Sequence, residues 1–107
     1  MILCLLVLLE GPIYHPETID SIQTSRHTHV VLVGHVAFVK READGDVHLR
    51  LVDAHGHRVV IEIIPELPLV VPRRGQVVRV WGIRRFDNEA GHGWWEVHPA
   101  RKLEVLR

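Results

Sequence analysis

What most constrains this chain is a succession of five β-rich runs separated by turn signals, with a glycine inside the first (30–39, VVLVGHVAFV) and inside the fourth (77–86, VVRVWGIRRF). Branched and aromatic side chains suit a pleated, half-buried surface. A glycine within such a run marks a bulge, a bend or a close backbone approach. Gly34 and Gly82 therefore predict two long strands that bend, which is what a sheet needs in order to close on itself.

The runs between them are shorter and alternate. Val47, Leu49 and Leu51 share one side of the second run, with Asp46, His48 and Arg50 on the other. Val59, Ile61 and Ile63 repeat the pattern in the third, with Glu62 on the opposite parity. The segment 40–45 (KREADG) carries an Asp-Gly hairpin signal, and 53–57 (DAHGH) is the next turn. Pro65, Pro68 and Pro72 make 65–74 a connector in which a helix is absent or reduced to a turn. Strands are expected at 30–41, 46–54, 58–64, 76–87 and 93–106, closing around Val31, Val33, Leu49, Leu51, Ile61, Ile63, Val80 and Val97. This is an all-β chain, a five-stranded OB-fold-like barrel with an extra N-terminal apolar segment. An SH3-like barrel is its nearest rival, and a sandwich would want about seven strands.

The chain has 107 residues, enough for one modest core, so residues 1–29 are read as a strand and irregular arm attached to a barrel at 30–107. Residues 1–9 (MILCLLVLL) are apolar but too short to span a bilayer, which needs about 20. They lack the basic start and small-residue cleavage site of a secretory signal. They are expected to form a buried or subunit-pairing strand and so a homo-oligomer contact; a leader remnant or mis-set start is the alternative. Cys4 is the single cysteine, which excludes an intrachain disulfide and a zinc site of several thiolates. A cytoplasmic location is favoured.

The densest chemistry is at 92–99, HGWWEVHP. On a strand, Trp94, Glu96 and His98 share one face, and Trp95 and Val97 the other. Asp46 and His48 repeat the acid-x-His spacing. The apolar sets of the second and third strands share a face only across an odd-numbered loop: five residues (53–57) set His48 opposite Glu62, and three set Arg50 there. The fifth strand is expected to close against the first, so that the second and fifth meet only at the barrel rim.

Four patches together resemble a group of small, largely uncharacterised bacterial OB-fold-like domains: Y-H-P at 14–16, D-G-D-x-H at 44–48, the late acid Glu62, and G-W-x-E-x-H-P at 93–99. The likeness spans roughly residues 14–106. It implies the same fold and draws attention to His15, Asp46, His48, Glu62, Glu96 and His98 without implying a reaction.

Nine histidines are the compositional anomaly, and imidazole is the commonest metal ligand. His48 and His98 with one of Glu62, Asp46 or Glu96 form a candidate set for a divalent metal ion, though no H-E-x-x-H or thiolate signature accompanies them. The same groups equally suit an internal ion-pair network. A nearby carboxylate raises an imidazole pKa unless burial opposes it. Thirteen basic and thirteen acidic residues cancel, so no long-range field attracts nucleic acid. Basic charge nevertheless gathers in the C-terminal third: Arg79, Arg84, Arg85, Arg101 and Lys102 beside Trp81, Phe86 and Trp94 outline a groove for single-stranded DNA or RNA. Single-strand nucleic-acid binding is the expected function. One alternative is a metal-dependent phosphodiesterase or nuclease with His48, Glu62, Glu96 and His98 as catalytic candidates and Arg50 or Arg84 stabilising developing charge. The other is an accessory domain that binds protein through its N-terminal strand.

Overall fold

A computed structural model describes residues 11–89 and 91–107. The expected pairing strand at 1–10, and the homo-oligomer contact assigned to it, lie outside the described residues. The elements are β1 (His15–Pro16), a 3-10 turn (Asp20–Gln23), β2 (His29–Arg41), β3 (Val47–Val52), β4 (Arg58–Ile63), β5 (Val77–Asp87) and β6 (Trp94–Val105). No helix among the described residues is long and apolar enough to cross a membrane.

The five long strands close into an OB-fold-like barrel. β2 pairs antiparallel with β3 through its second half and with β5 through its first, β3 pairs with β4, and β5 with β6. The ring shuts through a parallel pairing of β4 with β6, Val60 beside Glu96 and Ile61 beside Val97. The last strand therefore closes against β4 rather than β2, correcting the expected closure. The consequence is large for the site, because β4 becomes an interior strand with a chemically equipped neighbour on each side.

Turn chemistry sets the β3–β4 register. Asp53 Oδ1 accepts from the amides of His55 and His57 at 2.9 and 3.0 Å, and Gly56 supplies the left-handed residue (φ 83°) that this five-residue loop requires. Val52 then pairs with Arg58, and His48 falls opposite Glu62.

Leu49, Leu51, Ile61, Ile63, Val80 and Val97 are buried as the alternation predicts, each contributing about 1.5–3 kcal/mol of apolar burial. Val31 and Val33 are not core: Val30 and Leu32 point inward instead, and Val33 is 45% exposed. The run VVLVG is apolar on both parities, so its pattern carries no facing information. The close approach at Gly34 decides it, because a side chain there would meet Leu51 Cβ at 3.0 Å and Val52 O at 3.3 Å.

The arm before the barrel contributes core as well. Ile19, which caps the 3-10 turn, and Ile22, within it, are 3% and 1% exposed and join the central cluster. The proline-rich connector adds the partly buried Leu69 and Val71. Arg84 ties the arm down, its Nε donating to Ile22 O at 2.6 Å.

Candidate functional site

Glu62 is the centre of the site, because β4 lies between β3 and β6. His48 reaches it from β3, with Nε2 2.6 Å from Oε1. The parallel register of β4 and β6 brings His98 alongside, its Nδ1 facing Glu62 Oε2. Three adjacent strands thus each offer one polar group to a single point on the outer face of the barrel wall.

Two buried carboxylates lie in this small volume: Glu62 is 6% exposed and Glu96 fully buried. A buried carboxylate is costly unless paired and hydrogen-bonded. Glu96 is well served, with Arg85 Nη2 donating to Oε1 at 2.8 Å and Trp94 Nε1 donating to Oε2 at 3.3 Å. Glu62 is served differently: His48 takes Oε1, Arg85 stays 3.9 Å from Oε2, and Oε2 and His98 Nδ1, both shut off from solvent, touch each other and hydrogen-bond to no other group. Burial also dominates the His98 titration: desolvation pushes its pKa below the ordinary imidazole value against the pull of Asp46, and His48 pushes the same way. The expected rise from neighbouring carboxylates does not occur at His98.

The histidine–carboxylate cluster forms part of the floor of a cleft of ≈ 1090 Å³ on the β3–β4 face, bordered by the 42–46 turn and by Asp87, Glu89 and His92. Among the described lining residues, carboxylates from Glu42, Asp44, Asp46, Glu62, Asp87 and Glu89 outnumber the cations of Lys40, Arg50, Arg58 and Arg85. Exposed rings stand at both margins. Phe38, on β2, is 43% exposed and carries Arg50 5.3 Å above its ring, while Trp94, on β6, is 37% exposed and stacks on His92 at 4.2 Å. Asp87 holds that second margin: its carboxylate contacts His92 Nδ1 at 2.5 Å and accepts from the Glu89 amide at 3.0 Å. Burial would raise the Asp87 pKa, but the Glu89 amide and the His92 and Arg85 charges outweigh it and hold the carboxyl below its usual range.

The structure brings His48, Glu62, Glu96 and His98 together, with Asp46 at the edge of the cluster. It does not bring the expected basic groove together. Only Arg85 and Trp94 of that set line the cleft. Arg79 pairs with Glu104 at 2.9 Å and, with Lys102, lies against Trp81 on the outer face of β5 and β6. Arg84 stacks 3.7 Å above Trp95, and Phe86 packs edge-on to Trp95; Arg101 is exposed on β6. Of the two arginines considered for charge stabilisation, Arg50 is in the cleft and Arg84 is bound to the arm.

Sequence reasoning missed Phe38, Asp87 and His92. Phe38 points outward because the β2–β3 register slips between Val36 and Phe38, beyond Gly34, the residue in the run that signals a bulge or bend. Asp87 and His92 carried a fainter signal, as the polar residues bracketing a glycine-rich turn.

No protein-family model and no curated protein sequence matches this chain. Solved structures do. A structure of Entamoeba histolytica asparaginyl-tRNA synthetase in complex with asparaginyl-adenylate superposes with a TM-score of 0.73 at 14% identity, over 90% of this chain and 24% of the synthetase chain. An OBody, AM1L10, bound to hen egg-white lysozyme superposes with a TM-score of 0.68 at 21% identity, over 91% of this chain and 98% of the OBody. These likenesses show the fold, and this chain spans only about a quarter of the synthetase.

Proposed function

We propose that this barrel binds single-stranded nucleic acid across the β3–β4 face, with bases turned inward. The observation that carries the reading is the pair of exposed rings, Phe38 and Trp94, flanking one cleft and offering a base a stacking platform at each margin. OB-folds bind oligonucleotides on this part of the barrel, and the shared fold includes part of an enzyme named for tRNA. The acidic floor sets the polarity of the strand. Phosphates are repelled from Glu62 and Asp46 and run along the rim near Lys40, Arg50 and Arg58, while base edges face the hydrogen-bonding groups of the floor.

The reading predicts stacking-dominated affinity with a shallow salt dependence, because each phosphate neutralised in a single strand adds only about 0.7 to the slope of log K against log salt. Fluorescence anisotropy with short labelled DNA and RNA strands tests it. Phe38→Ala and Trp94→Ala should each weaken binding by about 5- to 150-fold, the equivalent of 1–3 kcal/mol per stacked base. Absence of binding at low salt, or binding indifferent to both substitutions, refutes it.

A further inference from the structure

We infer that His48, Glu62 and His98 hold a divalent transition-metal cation, with Asp46 as a fourth donor at the mouth of the site. This proposal stands independently of the nucleic-acid reading. Its first support is convergence: β3, β4 and β6 place one donor each on adjacent strands about 4.8 Å apart. Ligand atoms of Asp46, His48 and Glu62 lie within 4.8 Å of one another, as do those of Glu62, Glu96 and His98, so Glu62 joins the two sets.

The second support is the buried contact at the centre of the set. Glu62 is more than nine-tenths buried, and its Oε2 and the His98 Nδ1 it touches are shut off from solvent with no hydrogen bond to any other group. A buried carboxylate is costly unless it is paired and hydrogen-bonded. Glu96, by contrast, has two separate donors in Arg85 and Trp94. A cation admitted as the Glu62–His98 contact opens would neutralise the buried carboxylate and take one ligand atom from each of His48, Glu62 and His98.

Donor chemistry narrows the class of ion. Two imidazoles with carboxylates suit zinc, manganese or iron, whereas calcium and magnesium take oxygen donors. Glu96 acts as a positioning residue: held by Arg85 and Trp94, it fixes the part of β6 that presents His98. The remaining side of the ion faces the cleft, leaving coordination positions for water or a ligand oxygen.

The test is calorimetric titration of zinc into chelator-treated protein, combined with NMR line broadening by manganese. One equivalent of zinc should bind and raise the melting temperature. Glu62→Gln and His98→Ala should weaken zinc by more than the 10- to 100-fold typical of losing an outer partner, and His55→Ala, on the exposed 53–57 turn, should leave it unchanged. Manganese broadening on the unmodified protein, which needs no variant to fold, should centre on His48, Glu62 and His98. The proposal is overturned by an absence of zinc and manganese binding, by affinity that Glu62→Gln and His98→Ala leave intact, or by broadening centred on other histidines.

Discussion

Replacing Gly82 with alanine should be among the most damaging single-methyl additions in this barrel. A Cβ at Gly82 would stand 2.4 Å from Val97 Cγ1, 2.6 Å from Pro99 O and 3.1 Å from Ala100 Cα. Two of those three are β6 backbone, and Val97 has no exposure into which to retreat. Gly34 is the natural comparison. There the nearest atom, at 2.8 Å, is Ile19 Cδ1, the end of a side chain that can rotate, followed by Leu51 Cβ at 3.0 Å. Neither glycine has a positive φ, so alanine gains about 0.4–1 kcal/mol at both from a less flexible unfolded chain. Overpacking costs about 1–3 kcal/mol and reaches the upper end where backbone must move. The net expectation is a loss of about 2–3 kcal/mol for Gly82→Ala and about 1 kcal/mol or less for Gly34→Ala. At about 4–8 °C per kcal/mol, that is a fall in Tm of about 10–20 °C against one of a few degrees. Urea denaturation at constant m gives the free energies directly. The packing argument fails if Gly82→Ala lies within about 0.5 kcal/mol of the parent or costs less than Gly34→Ala. Because Gly82 pairs with Ala100 where the β5–β6 register slips, the same variant should also disturb His98.

Two further substitutions probe the floor and margin of the cleft. Arg85→Met leaves the buried Glu96 carboxylate without its cation; loss of a buried partner costs about 3–5 kcal/mol, reduced here to about 2 because Arg85 is half exposed. Glu96→Gln should cost less, and adding it to Arg85→Met should restore part of the loss in chemical denaturation; a double variant no better than Arg85→Met contradicts the pairing. Asp87→Asn should lose about 1–2 kcal/mol at neutral pH, the scale of a charge-assisted hydrogen bond. Since the folded Asp87 pKa is depressed, that stability is present above the ordinary carboxylate pKa of about 3.9 and is lost as pH falls through the folded value, so parent and variant should converge in acid. A gap that is undiminished at low pH would contradict the assignment.

Facing was legible where the sequence alternates and illegible where it does not. In β3 and β4 the alternation, together with an odd-numbered loop stabilised by Asp53, was enough to place His48 opposite Glu62. In β2 both parities are apolar, and two tertiary facts settle the outcome: the close approach of Leu51 to Gly34, and the register slip beyond Val36. Ile19 and Ile22 were hidden differently, in a segment whose polar composition masked two core residues three apart on a short turn.

The acid-x-His repeats could be read from spacing because spacing within a strand determines which side chains share a face. Their convergence could not, since it depends on which strand edges meet. An edge strand between solvent and one neighbour would have left Glu62 with a single partner; the parallel closure of β4 on β6 gives it two. The arginines show the reverse situation. A cluster of cations in sequence says nothing of where each guanidinium ends, and here Arg79, Arg84 and Arg85 reach Glu104, the arm carbonyl at Ile22 and the buried Glu96 respectively. Once those cations are committed internally, the cleft keeps an excess of carboxylates. Such a floor repels phosphate and attracts a cation, which is why stacking at Phe38 and Trp94, rather than a basic groove, is the feature on which nucleic-acid binding by this barrel depends.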